Sequence, residues 1–120
     1  MFKNFKKNNH FFGLSIEKLA LVILFCKGYQ ILAWRYKTPF GEIDIVVKKA
    51  NTLIFIEVKS THHNFLNPEI AFREKQIKRF FNAIEFFVKN NIQFNNLARR
   101  LDLIEFKGYF CYKHHYNFIS

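Results

Sequence analysis

Two apolar runs separated by a short connection constrain the fold of this chain more than any other feature. They cover residues 43–48 and 53–59, and both are rich in isoleucine, valine and other side chains that favour strands. The four residues between them, 49–52, are few enough for an antiparallel hairpin. Four charged side chains stand in or beside these runs: Glu42, Asp44, Glu57 and Lys59. The pattern predicts paired core strands that carry charges near one end.

The N-terminal part is predicted to contain an irregular arm, one helix and one strand. Residues 1–13 are mainly Lys, Asn and Phe without an apolar period, which indicates a basic arm. Ser15 is a suitable N-cap, and apolar side chains at helical spacing continue to residue 26, before Gly28 ends the helix. Large apolar side chains then predict a strand over residues 29–36.

A second helix and two strands complete the prediction. Asn67 as N-cap and Pro68 at the first helical position start a helix that continues to about Asn90. Its apolar stripe is predicted to comprise Ile70, Ile77, Phe80, Phe81, Ile84, Phe87 and Val88. Strands follow over residues 100–106 and 109–118. The order is therefore α-β-β-β-α-β-β in one domain over residues 1–120, with helices covering both faces of a very apolar sheet.

The charge of the chain limits the classes of partner. It has 19 lysine and arginine residues against 9 acidic ones, a formal net charge of +10. This balance favours polyanions, either nucleic acid or an anionic membrane, over general basicity without a partner. The apolar run over residues 19–26 is too short to span a bilayer, and no small-residue cleavage site follows it, so no membrane association is expected. Two cysteines are too few for a disulfide framework, which predicts the cytoplasm.

The charged residues of the hairpin are expected to meet at one end of the sheet. Glu57 and Lys59 lie two residues apart and should share a face of their strand. The same spacing places Glu42 and Asp44 together on the neighbouring strand. One interpretation is a structural cluster in which Lys59 neutralises Glu57. The other is a divalent-metal site, because one or two carboxylates and a substrate phosphate are sufficient to hold Mg²⁺.

The spacing of these residues resembles a known nuclease signature. Asp44 followed by Glu57-Val58-Lys59 is similar to the Asp…Glu-x-Lys pattern of the restriction-endonuclease-like superfamily. More closely, the chain resembles the YraN-like family of small bacterial predicted endonucleases, which are distantly similar to Holliday junction resolvases. The residues that carry this resemblance are Glu17, Gly41-Glu42-Ile43-Asp44, Phe55-Ile56-Glu57-Val58-Lys59, Pro68-Glu69, Lys75-Gln76 and Arg100-Leu101-Asp102.

The resemblance implies both a fold and an activity. The fold would be α/β with a restriction-endonuclease-like core, in which helices flank a mixed central sheet. The activity would be hydrolysis of DNA phosphodiesters with Mg²⁺ or Mn²⁺, held by Asp44 and Glu57, while Lys59 assists the attacking water. Branched or structured DNA is favoured only because related resolvases use it. The alternative is a non-catalytic nucleic-acid-binding module of the same fold.

Two further residues are candidates for the catalytic site. Glu17 lies near the start of the first helix and matches a family position on the active-site side, although the helix dipole alone would also favour an acid there. Gln76 shares a helical row with Phe80 and Phe87, so it is expected to face inward, where its amide needs partners. A solvated position on the helix flank is an equally open alternative for Gln76.

Basic residues around the second helix are expected to contact DNA phosphates. They are Lys75, Lys78 and Arg79 on the helix and His62 and His63 in the loop after Lys59. Glu42 is expected to support the site without binding metal, and Asp102 to form a structural ion pair with Arg100. For the 17 phenylalanines, a homodimer surface, stacking on unpaired bases and codon bias all remain open.

Overall fold

The computed structural model describes the backbone of residues 5–61, 74–109 and 111–117, and the side chains of residues 16–60, 76–109 and 111–117. Its elements are helix α1 (Phe5–Cys26), strands β1 (Gln30–Thr38), β2 (Gly41–Lys49) and β3 (Thr52–Thr61), helix α2 (Glu74–Lys89), a 3-10 helix (Ile92–Phe94), and strands β4 (Ala98–Lys107) and β5 (Cys111–His115). The predicted order α-β-β-β-α-β-β is confirmed.

The five strands form one mixed sheet in the spatial order β1-β2-β3-β4-β5. Neighbouring strands are antiparallel except for β3 and β4, which are parallel. The parallel pair follows from the connection, since α2 lies between β3 and β4 and lets the chain return to the starting edge. The architecture is α/β and is consistent with the predicted restriction-endonuclease-like core.

Each face of the sheet packs against one helix. The α2-face cluster contains Ile43, Val46, Leu53, Phe55, Leu101 and Leu103 of the sheet together with Phe80, Ala83, Ile84, Phe87 and Val88 of α2. The α1-face cluster contains Ile45, Val47, Ile54, Ile56, Ile104 and Phe106 together with Ile16, Ala20, Leu24 and Tyr29. Burial on both faces explains why the central strands are almost continuously apolar.

The first helix is longer than predicted. It begins at Phe5, well before the predicted N-cap Ser15, so residues 5–13 are helical and not an irregular arm. Adding turns to a helix that is already anchored costs little, and the chain has no proline before residue 39 to prevent it. The predicted end is correct, because Gly28 has a φ of +90° and the Tyr29 N–H donates to the Leu24 carbonyl over 3.0 Å.

The second helix ends within one residue of its predicted end, but the predicted burial of Phe81 is wrong. Phe81 is 44% exposed, because it lies about 100° around the helix from its buried neighbour Phe80. Gln76 is exposed, which agrees with the alternative of a solvated position on the helix flank and not with an inward-facing one, since the fully buried part of the described stripe begins only at Phe80. Asn67, Pro68 and Ile70 lie outside the described residues.

The last strand is shorter than predicted. Tyr109 lies in the turn that precedes β5, and Tyr116 and Asn117 form a turn after it. Asn117 has a φ of +49°, which ends the extended conformation, while Phe118 lies outside the described residues. Across the described parts of the chain, none of the helices has the length and apolarity required to cross a membrane.

Candidate metal and nucleic-acid site

The pairing of β2 with β3 ends beside Asp44. This pairing runs only as far as Ile45 opposite Ile56, one residue short of Asp44. The Asp44 carboxylate continues the contact in place of the backbone, since its Oδ2 accepts a hydrogen bond of 2.8 Å from the Val58 N–H. An acid at this position therefore joins the two strands where their backbone ladder ends.

The two residues that flank Asp44 face opposite sides of the sheet. Ile43 belongs to the α2-face cluster and Ile45 to the α1-face cluster, whereas residues two apart on a regular strand share a face. The alternation that predicted a common face for Glu42 and Asp44 is therefore broken. On β1, the register places Arg35 opposite Asp44, and Arg35 has a φ of +55°, a conformation that non-glycine residues seldom adopt.

Asp44 and Glu57 form a pair of interacting carboxyl groups. Partial burial, a hydrogen bond with Asp44 and the charge of Asp44, in that order of importance, raise the pKa of Glu57 to about 9. The charges of Lys59 and Arg79 oppose this rise. At neutral pH, Glu57 therefore keeps its proton, which it can donate in the hydrogen bond to Asp44.

Two basic side chains lie on the same face of the sheet as Glu57. Phe55 of β3 belongs to the α2-face cluster, and side chains two residues apart on a strand share a face. Glu57 and Lys59 therefore lie on the α2 face of the sheet as well. Arg79 reaches the site from α2 and lies beside Gly41, so closely that a Cβ atom added to this glycine would be 3.6 Å from the Arg79 Cδ. The carboxyl pair is thus accompanied by one amine and one guanidinium group.

Glu17 approaches the carboxyl pair from α1. Its Oε1 accepts a hydrogen bond of 3.1 Å from the Trp34 Nε1 and lies 4.0 Å from the Arg35 Nε. The same Arg35 Nε is 3.5 Å from the Glu42 Oε1. Burial and the charge of Asp44 raise the pKa of Glu17, while Trp34 and Arg35 oppose the shift. Glu17 and Glu42 are therefore linked through Arg35, and Glu17 is within electrostatic reach of Asp44.

The remaining predicted site residues are less closely connected to this cluster. Lys78 and Gln76 are exposed on α2, the side chain of Lys75 is not described, and His62 and His63 lie outside the described residues. In the described part of the chain, no three His, Cys, Asp or Glu side chains are arranged to hold a metal ion. A cation at the Asp44–Glu57 pair would therefore also need ligands that are not His, Cys, Asp or Glu side chains of the described residues.

Sequence reasoning missed Arg35, Trp34 and Glu105. Glu105 is almost fully buried, accepts a hydrogen bond of 2.8 Å from the His115 Nε2 when that nitrogen is protonated, and is in register with Lys59 across the parallel β3–β4 pair. The signal available for Glu105 was that it is the one charged residue in the apolar run 103–106 of β4. No local pattern could identify Arg35, because its contacts depend on the register of β1 against β2.

Comparison with known proteins identifies a family. A family model described as "Uncharacterised protein family UPF0102" matches residues 16–106. A UPF0102 protein of Nitrobacter winogradskyi is 38% identical over 90 residues, which cover 75% of this chain and 75% of that relative. A UPF0102 protein of Ehrlichia ruminantium is also 38% identical over 90 residues, covering 75% and 68%. A Fervidobacterium nodosum relative is 36% identical over 90 residues, covering 74% and 68%.

Proposed function

This chain belongs to the uncharacterised protein family UPF0102, and on that premise we propose that it is a Mg²⁺- or Mn²⁺-dependent endonuclease that hydrolyses phosphodiester bonds in DNA. The observation that carries the proposal is the Asp44–Glu57 carboxyl pair, which lies where the pairing of β2 with β3 ends. Branched or structured DNA is the preferred substrate in this proposal, as the resemblance to junction resolvases implies.

The carboxyl pair is chemically suited to a divalent cation. Two acids that share a proton in a partly buried site can exchange that proton for a cation, which neutralises both of them. Asp44 and Glu57 would supply oxygen ligands, which Mg²⁺ and Mn²⁺ prefer, and substrate phosphate oxygens and water would complete the set. When bound, such a cation supplies positive charge that polarises a phosphate group and favours deprotonation of water.

The basic residues have separate roles in this proposal. Lys59 is on the face that carries Glu57, so its ammonium group can oppose negative charge that develops on the reacting phosphate. Arg79 can hold a neighbouring phosphate oxygen, since a guanidinium group presents several donors in one plane. Glu17 orients Arg35 and Trp34 and adds negative potential beside Asp44. These contacts position DNA without reading its sequence.

Metal binding is the first test of the proposal. Titration calorimetry should detect Mn²⁺ or Mg²⁺ binding to the wild-type chain, with or without DNA. Asp44→Asn and Glu57→Gln should each weaken binding at least tenfold, because each variant removes one anionic ligand while keeping the shape of the side chain. Cleavage of a labelled DNA junction should be lost in parallel.

Glu85→Gln is the matched control for these variants. Glu85 is an exposed acid on α2 whose partner is Arg99, outside the carboxyl pair. The Glu85→Gln variant should bind the metal as the wild type does. If the wild type and both site variants show the same absence of metal binding, even with DNA present, the metal-dependent nuclease is excluded.

A second prediction concerns phosphate contacts by α2. Replacing Lys78 and Arg79 with alanine should weaken DNA binding similarly for all sequences and make the slope of log K against log salt shallower by about 1–2 units. Fluorescence anisotropy at several salt concentrations, in EDTA, measures this slope. Lys18 and Lys89 are exposed residues elsewhere on the helices, and their double alanine variant removes the same charge. An equal slope change in both double variants would show that Lys78 and Arg79 have no specific role in DNA binding.

A non-catalytic nucleic-acid-binding module is the alternative function. It is favoured by one observation, that a proton shared between Glu57 and Asp44 satisfies the carboxyl pair without a cation. This alternative predicts DNA binding that is the same in EDTA and in Mg²⁺, with no cleavage of any DNA structure. The nuclease proposal predicts that divalent cations strengthen binding of DNA to the wild type but not to Asp44→Asn.

A further inference from the structure

A second polar cluster is built around Asp102 on the opposite face of the sheet from Glu57. Asp102 is fully buried, and Arg100 donates to both of its oxygens, from Nε and from Nη2, each over 2.9 Å. The predicted ion pair is therefore present. His114 Nε2 lies 2.9 Å from Oδ2, and the Asn117 N–H donates to Oδ1 over 2.8 Å. Although burial alone would raise it, these hydrogen bonds from His114, Arg100 and Asn117 lower the pKa of Asp102.

The contacts of Asp102 hold Tyr116 in a fixed position. The Asn117 N–H fixes the turn that follows β5, and the imidazole ring of His114 stacks on the Tyr116 ring with centroids 3.9 Å apart. Since ionised Asp102 can only accept, His114 donates from Nε2 and its Nδ1 can accept from Lys27 Nζ, 3.3 Å away. The Lys27 ammonium also donates to the Tyr116 hydroxyl over 3.2 Å. A buried acid thus organises an aromatic side chain at the surface.

Around this turn, cations alternate with aromatic rings. Lys27 Nζ lies 5.6 Å from the ring centroids of both Tyr112 and Tyr116, and the Arg100 Cζ is 5.4 Å from that of Tyr116. Lys49 Nζ donates to the Lys27 carbonyl and lies 4.7 Å from the buried Tyr29 ring. We refer to Lys27, Lys49, Tyr112 and Tyr116 as the tyrosine–lysine patch. Tyr116 is 53% exposed and Tyr112 is 39% exposed, so both rings remain accessible.

The positive charge of the patch is not neutralised at the surface. Within the described residues, neither Lys27 nor Lys49 has a carboxylate within 4.0 Å, and their hydrogen bonds go to a ring nitrogen, a hydroxyl group and a carbonyl oxygen. The one acid of the cluster, Asp102, is buried and paired with Arg100. Two ammonium groups without a carboxylate partner therefore lie beside two accessible rings, which is an arrangement complementary to a chain of anionic groups and flat bases.

We propose that the tyrosine–lysine patch binds a single-stranded segment of nucleic acid. Tyr112 and Tyr116 would stack on successive bases, while Lys27 and Lys49 would contact the phosphates between them. This inference rests on the proposed nucleic-acid partner and adds to it a second contact surface. The patch faces away from Glu57 and Lys59, so its strand would be separate from the one at the carboxyl pair.

The chemistry of the patch favours nucleic acid over an anionic membrane. Its accessible rings are tyrosines, and the Tyr116 hydroxyl is held by Lys27, which keeps the ring against His114. Stacking needs a flat, preorganised ring of this kind, and it tolerates any base because each has a π face. Insertion into lipid needs apolar side chains that can leave the surface, whereas both accessible rings of the patch carry a polar hydroxyl group.

Binding of a labelled oligothymidylate, measured by fluorescence anisotropy in EDTA, tests the patch. Tyr116→Ala and Tyr112→Ala should each weaken binding roughly 5- to 100-fold, the range for loss of one stacked base. Tyr116→Phe keeps the ring and its stacking on His114 but loses the hydroxyl contact with Lys27, so it should retain most of the binding that Tyr116→Ala loses. Lys27→Gln should make the slope of log K against log salt shallower by about 0.7, as for one phosphate on a single strand.

An abasic oligonucleotide of equal length separates stacking from charge. The wild type should bind it more weakly than oligothymidylate, and Tyr116→Ala should bind it as well as the wild type does. Tyr109→Ala is the matched aromatic control, since Tyr109 is an exposed tyrosine in the turn at the other end of β5. Lys89→Ala is the control for charge. Thermal midpoints would establish that each variant is folded.

Three results would overturn the proposal. The first is unchanged oligothymidylate binding in folded Tyr116→Ala and Tyr112→Ala. The second is that these variants lose as much affinity for the abasic strand as for oligothymidylate. The third is patch-dependent binding to phosphatidylserine vesicles without binding to the oligonucleotide. The nuclease proposal is tested separately, because Asp44→Asn should bind oligothymidylate in EDTA as the wild type does. Patch-dependent binding without any metal-dependent cleavage would contradict only the nuclease.

Discussion

In the absence of divalent cations, the thermal midpoint of the wild-type chain should fall as the pH is raised from about 5 to about 9. The pKa of Glu57 is about 9 in the folded chain, against an ordinary value of 4.5. Because the folded state binds this proton more tightly than the unfolded state does, protonation of Glu57 stabilises the fold. The stabilisation is complete below pH 4.5, where Glu57 is protonated in both states. This stabilisation is lost as the pH rises through the pKa of the folded state, by at most about 1.4 kcal/mol per pH unit.

The same proton should compete with a divalent cation. If binding releases one proton from the Asp44–Glu57 pair, Mn²⁺ affinity should rise about tenfold per pH unit up to pH 9, or roughly 100-fold between pH 6 and pH 8. Calorimetry in two buffers of different ionisation enthalpy measures both the affinity and the number of protons released.

Glu57→Gln provides the control, because glutamine does not titrate. Its thermal midpoint should depend less on pH than that of the wild type over the same range, and Mn²⁺ should not restore a pH dependence. If Mn²⁺ binds the wild type with equal affinity at pH 6 and pH 8 and no proton is released, the shared proton is not displaced by the cation. The assignment of Glu57 as a metal ligand would then be wrong.

The order of the elements and the main acids were accessible from sequence because they depend on local rules. Alternating or continuous apolar runs predict strands, and the hairpin between residues 43 and 59 needs only a short connection. Once those strands pair, Asp44 and Glu57 can meet at one end, as they do in the structure. Local periodicity also predicted most of the buried stripe of α2.

The features that sequence reasoning missed depend on long-range register. Arg35 has a positive φ, and the side chains of β2 change face at Asp44, because of how β1, β2 and β3 pair. No local window of sequence contains the residues of all three strands. The role of His114 is a similar case, because its partners Asp102 and Lys27 come from β4 and from the end of α1. The start of α1 was missed for a different reason, since residues 5–13 are helical without an apolar period to indicate it.

Lys59→Met should lower the rate of single-turnover DNA cleavage by roughly 100-fold or more while leaving metal binding largely intact. Methionine keeps the approximate length of the side chain and removes its charge. If the ammonium group opposes charge on the reacting phosphate, its loss affects the transition state more than the bound state. Lys59 also lowers the pKa of Glu57, so the variant must be compared with the wild type at saturating Mn²⁺ and high pH, where proton competition is weakest.

The competing role for Lys59 is purely structural, and one preparation of Lys59→Met can distinguish the two. A structural partner of Glu57 would show a lower thermal midpoint and a smaller folded fraction, with nearly normal cleavage per folded molecule. A catalytic amine would show a normal folded fraction and a slow chemical step. Lys59→Arg keeps the charge but replaces a compact amine with a broad planar group, so it should restore metal-independent stability without restoring the rate. Full activity per folded molecule of Lys59→Met would exclude the catalytic assignment, because this variant lacks the ammonium group to which the rate is attributed.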